Sequence, residues 1–139
     1  ASGELITFAA VAIASLLLTL VVEVPVAALM GLRRGWEIAA VVCVNIITNP
    51  VVVWVAYAIG NSGLLGGLPG RLLWVVVGAL WLLLEAAVTL VEWRLLTWAL
   101  KKPSHDMLKV SLTMNAASAT AGLVLTIVVP LLLGIPLGL

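Results

Sequence analysis

Residues 23–45 read Glu23-Val-Pro-Val-Ala-Ala-Leu-Met-Gly-Leu-Arg-Arg-Gly-Trp-Glu-Ile-Ala-Ala-Val-Val-Cys-Val-Asn45, and a second stretch runs from Glu92 to Asn115. Acid and amide stand 22 positions apart in the first stretch and 23 in the second. A basic pair lies between them, Arg33-Arg34 in one and Lys101-Lys102 in the other. Each amide opens the same short pattern, Asn45-Ile-Ile-Thr48 and Asn115-Ala-Ala-Ser118. Both stretches lie within long apolar runs, so the pattern is that of one helical hairpin used twice in a membrane.

Composition agrees. The 139 residues are 64% hydrophobic and 9% charged, with a mean hydropathy of +1.30. A soluble domain of this length could not hide so much apolar surface. The fold expected is all-α: a single integral membrane domain, 1–139, of four transmembrane helices. A span needs about 20 apolar residues, and four fit, at about 5–32, 36–59, 72–100 and 107–133. The runs do not alternate polar and apolar, which disfavours a strand barrel. The first run is too long for the apolar region of a signal peptide.

Turn residues separate the spans. Gly31-Leu-Arg-Arg-Gly35 closes the first hairpin, and Pro103-Ser104-His105-Asp106 the second, with Ser104 read as an N-cap. The segment from Gly60 to Gly70, rich in glycine and without charge, reads as an interfacial loop. Arg33, Arg34, Lys101, Lys102 and Lys109 flank the two hairpin turns, whereas the opposite side holds only Arg71. The positive-inside rule then places both turns in the cytoplasm of a bacterial cell and both termini outside. Arg94 can snorkel toward the turns or pair with a carboxylate on another helix.

Depth places the polar groups together. Glu23 lies ten residues before Arg33, and Asn45 nine after Trp36; Glu92 lies ten before Lys102, and Asn115 nine after Asp106. At 1.5 Å per residue all four sit roughly 14 Å from the turn end. The two hairpins should therefore be like-oriented, related by a pseudo-two-fold along the membrane normal, with 13–52 superposing on 82–122. At least one glutamate should reach an Asn, Ser or Thr of another helix. Glu85 has no counterpart in the first hairpin and should sit roughly 10 Å further from the turns. Thr48 and Asn49 lie at intermediate depth, beside Pro50, which frees the carbonyl of Ile46. Ser111, Asn115, Ser118 and Gly122 form one stripe, and Pro130 frees the carbonyl of Thr126.

An ionised carboxylate in hydrocarbon costs roughly 3 kcal/mol or more. Glu23, Asn45, Thr48, Asn49, Glu85, Glu92, Asn115 and Ser118 are therefore the candidate ion-binding or relay residues. Carboxylate and amide oxygens suit a hard cation or a proton. Two carboxylates close together cannot both ionise cheaply, so one is expected to carry a proton when the site is empty. The competing reading is a non-catalytic membrane subunit or scaffold, whose polar groups bind a partner helix or hold the bundle together. A membrane enzyme ranks third: no nucleophile accompanies the carboxylates, no His/Cys cluster implies zinc or copper, and no glycine-rich loop implies a nucleotide. The sequence names no cofactor and no catalytic residue. The expected partners are the lipid bilayer and either a second copy or another membrane protein; a net charge of +1 gives no sign of nucleic acid. Cys43, alone in an apolar run, reads as a small core residue, and His105 as a solvated neighbour of the helix cap.

The combination Arg33-Arg34, Asn45-Ile-Ile-Thr48-Asn49-Pro50, Glu85, Glu92 and Lys109-Val-Ser-Leu-Thr-Met-Asn115-Ala-Ala-Ser118 resembles small four-span bacterial membrane proteins known only as hypothetical. The resemblance implies a four-span fold and brings no activity. Small multidrug transporters share four spans and a glutamate in the first, but the rest of their pattern is not matched.

Overall fold

A computed structural model describes residues 2–125 and 132, and the described part is helical throughout apart from its turns. Four helices follow in order: α1 (Ser2–Leu29), α2 (Gly35–Asn61), α3 (Gly70–Leu100) and α4 (Ser104–Leu123). α1, α2 and α3 are each long and apolar enough to cross a membrane. The expected fourth span runs to 133 and so extends past the described helix; Pro130 and Thr126 lie outside the described residues. α3 has 31 residues, about 46 Å at 1.5 Å each, longer than a hydrocarbon layer of about 30 Å, so that spanning one would call for tilt or extension into the headgroups.

The helices pack around a square: α1 on α2, α2 on α3, α3 on α4, and α4 back on α1. The stripe that α2 turns inward, Glu37, Val41, Val44, Asn45 and Thr48, follows the three-and-four spacing of one helix face. Cys43 lies two residues from both Val41 and Asn45, on the opposite face, and is exposed. The expectation of a core cysteine is therefore wrong: Asn45 and Thr48 mark the inward face of α2, and a residue two positions from Asn45 falls on the other side.

The two turns end their helices differently. After α1, Leu32 donates its N–H to Ala27 (3.0 Å) and Gly31 donates to Ala28 (3.2 Å), with Gly31 at φ +103°. This is a Schellman motif, and its following hydrophobe, Leu32, is buried. Leu32 thus belongs to the turn, and α1 stops short of the apolar run that suggested a span to residue 32. After α3, Lys101 takes the left-handed conformation (φ 50°) and donates to Thr97 (3.1 Å), a single-bond αL cap followed closely by Pro103. Pro103 is the N-cap of α4, so Ser104 is the first helical residue and not the cap expected. Its carbonyl and hydroxyl oxygens instead accept the indole N–H of Trp93 (2.7 and 3.1 Å).

The apolar core lies entirely beside these turns. Ala27, Leu32, Val41, Val44, Leu96, Leu100, Met107, Val110 and Met114 form one cluster. No described residue in 3–22, 49–88 or 116–125 is buried. In that far half α1 and α2 still touch, through an edge-to-face contact of Phe8 and Tyr57 with centroids 5.8 Å apart.

Candidate functional site

Above the apolar cluster the four helices meet in a layer of hydrogen bonds. Glu23 on α1 accepts from Asn45 on α2 (Nδ2 to Oε2, 2.9 Å) and from Ser118 on α4 (Oγ to Oε1, 2.6 Å). Glu92 on α3 accepts from Thr48 on α2 (Oγ1 to Oε1, 2.7 Å) and from Asn115 on α4 (Nδ2 to Oε2). The bonds close a ring through α1, α2, α3 and α4. Every donor is on α2 or α4, and both acceptors are on α1 and α3. Each glutamate takes one bond from an asparagine in its own hairpin and one from a hydroxyl in the other.

Local structure holds the donors in place. Asn45 Nδ2 also donates to the carbonyl of Val41 (3.1 Å), and Asn115 Nδ2 to that of Ser111 (3.0 Å). Thr48 donates additionally to Val44 (3.1 Å). These bonds to carbonyls four residues back keep the side chains against their own helix, aimed inward. Ser111, fully buried, ties α4 to α3 through the carbonyl of Thr89 (2.8 Å). Glu23, Asn45, Glu92 and Asn115 are all at most 5% exposed.

The ring borders a cavity of about 40 Å³. All eight candidate residues line it: Glu23, Asn45, Thr48, Asn49, Glu85, Glu92, Asn115 and Ser118, joined by Thr19, Val52 and Val88. Such a volume holds about one to three waters or one small ion. Three carboxylates border it and no basic side chain does. Glu85 lies on its α3 wall, on the far side of the ring from the turns, and no hydrogen bond to its carboxylate is found among the described residues. Asn49 donates to Thr19 Oγ1 (3.1 Å), while its buried Oδ1 has no partner among the described residues. Among the described residues, no three acidic, histidine or cysteine side chains converge closely enough to hold a metal ion.

Arg94 takes no part in the site. Its guanidinium lies 4.4 Å from the centroid of the Trp93 ring, and the side chain is exposed. His105 is exposed, with Nδ1 3.5 Å from Asp106. Thr19 and Glu37 escaped the sequence reading. Glu37 is buried near the start of α2, where Oε2 accepts the backbone N–H of Arg34 (3.0 Å) and Oε1 pairs with Lys102 of the other turn (2.6 Å). Its position as the third helical residue, where an acid caps the preceding N–H, was the available signal.

Comparison with known proteins finds no family model, no curated protein and no solved structure that the chain matches.

Proposed function

We propose that the chain is an integral membrane protein whose central cavity binds and passes a small cation, coupled to or replaced by a proton. The observation that carries this reading is the charge of the cavity: three carboxylates and no basic side chain around about 40 Å³. Carboxylates in apolar surroundings are costly, and a positive occupant offsets that cost. In this reading Glu23 and Glu92 are the paired carboxylates. Asn45, Asn115, Thr48 and Ser118 fix their orientation. The Oδ1 of Asn49, without a partner among the described residues, supplies a neutral oxygen, and Glu85 relays toward the far side. The small volume and the lack of a convergent acidic trio favour a monovalent ion or proton over a divalent metal. The equivalent bonds made by the two hairpins support a pseudo-two-fold along the membrane normal. The basic turns belong in the cytoplasm, with both termini outside.

The decisive measurement is cation and proton flux into liposomes carrying the purified protein. The double change Glu23→Gln plus Glu92→Gln should abolish it, while Arg71→Gln should leave it intact. Wild-type flux that survives the double change would reject this mechanism. A second reading, a scaffold held by its polar ring, is favoured by one observation: each of the four glutamate oxygens in the ring already accepts a hydrogen bond. Liposomes whose wild-type flux equals that of empty vesicles would select it.

A further inference from the structure

A second pocket opens at the turn end of the bundle, separate from the cavity between the helices. It encloses about 500 Å³ and draws on both turns: Gly31, Arg33, Arg34, Trp36 and Glu37 from the first hairpin, Leu100 and Lys102 from the second. Three basic side chains and one acid make its formal charge +2. The acid is already committed. Glu37 caps the Arg34 N–H with one oxygen and holds Lys102 with the other, at 2.6 Å. It therefore draws a cation of the second turn toward the two arginines of the first, without neutralising either of them. Arg33 is fixed through Nε, which donates to the carbonyl of Ala28 (3.1 Å), so its two terminal amino groups remain to face a ligand. No acid pairs with the side chain of Arg33 or Arg34 among the described residues.

We propose that this pocket binds the phosphate of an anionic membrane-lipid headgroup. Guanidinium groups suit phosphate oxygens because their N–H groups form a planar fork. The volume falls within the range of small-molecule sites, about 300–1,000 Å³. The turns end apolar helices, which puts the pocket at headgroup depth, where basic pockets between helices meet acidic lipids. Trp36, half exposed, forms part of the wall, and its amphipathic ring suits that interface. Leu29 (80% exposed) and Met30, immediately before the pocket, offer apolar surface to an acyl chain, which a free phosphate would not use. That apolar surface favours a lipid over a free phosphate as the occupant.

Native mass spectrometry of the detergent-solubilised protein tests the proposal, with phosphatidylglycerol, phosphatidylcholine and inorganic phosphate as probes. Retention of one phosphatidylglycerol per chain in preference to phosphatidylcholine is expected. Arg33→Gln plus Arg34→Gln should weaken it about 30-fold, at about one kcal/mol per basic residue. Arg71→Gln, at the opposite end, should leave it unchanged and controls for general charge loss. Both arginines are exposed, and unchanged helicity by circular dichroism would establish that the double variant folds. If it does not fold, Arg33→Lys plus Arg34→Lys keeps the charge but removes the planar forks, and should still weaken retention. Equal retention of the two lipids, retention unaffected by either arginine pair, or full displacement by millimolar inorganic phosphate would each overturn the assignment.

Discussion

The turn half of the bundle carries ten of the chain's thirteen charged residues and the far half is the more apolar, yet it is the turn half that packs. From Glu23 to Thr48 and from Thr89 to Asn115 the inward stripes are buried, and the core cluster fills the space between the helices. Beyond them no described residue is buried, although Leu5, Val11, Leu17, Val75 and Leu82 are as hydrophobic as anything in the core. Apolarity alone therefore does not close a bundle in a membrane, because lipid chains solvate leucine as well as another helix does. Short caps that bring helix ends together and polar groups that must find one another do close it. The polar layer stands at the boundary between the halves, with a packed apolar plug toward the turns and no buried side chain among the described residues on the other side.

The largest expected effect tests that contrast directly. Leu96 is fully buried in the plug and Leu82 is 62% exposed in the far half of the same helix. Leu96→Ala should destabilise the bundle by about 2–5 kcal/mol, and Leu82→Ala by no more than about 0.5 kcal/mol. Reversible unfolding in mixed detergent micelles measures both. Similar losses for the two would mean that the far half packs as tightly as the plug.

A smaller effect belongs to the layer itself. Asn115→Ala removes the bond to Glu92 and the bond to the Ser111 carbonyl, and should cost about 1–2 kcal/mol. Asn45→Ala, which removes the corresponding pair, should match it within about 0.5 kcal/mol. A large inequality in the same unfolding assay would separate the two hairpins energetically.

The smallest effects lie in the caps, and they have opposite signs. Gly31→Ala forces a side chain onto φ +103° and should destabilise by about 1 kcal/mol, with no steric contribution, since nothing lies within 4 Å of the added carbon. Lys101→Gly relieves the left-handed conformation of a lysine at φ 50° and should stabilise by up to about 1 kcal/mol. Shifts of the same sign would undo the account of how the turns draw the helices together.

Much of this was legible in the sequence for one reason: a polar group in hydrocarbon has few places to go. That constraint brought Glu23, Asn45, Glu92 and Asn115 to one layer by counting from the turns, and the structure joins them in one ring. Elsewhere it reached less far. Cys43 was read from the apolar run around it, although its place two residues from Asn45 sets it on the other face of α2. Ser104 looked like a cap by type, but Pro103 holds that position and the serine serves Trp93 instead. The capping role of Glu37 was open to reading from its place as the third residue of α2; its ion pair was not, because Lys102 lies in the other turn, 65 residues later. Which oxygen each hydroxyl would seek was also illegible, because Thr48 and Ser118 both bond across to the hairpin they do not belong to.

That crossing has a consequence for biosynthesis. A hairpin delivered to the bilayer alone has its glutamate half satisfied, by one asparagine, and its hydroxyl without a carboxylate. The first hairpin made must wait in that state until the second emerges from the ribosome. Its open valences are complementary to those of the latecomer, and equally to those of another unfinished copy. Slow translation between Asn61 and Gly70 should therefore favour pairing between nascent chains, and rapid delivery of α3 and α4 should favour closure within one.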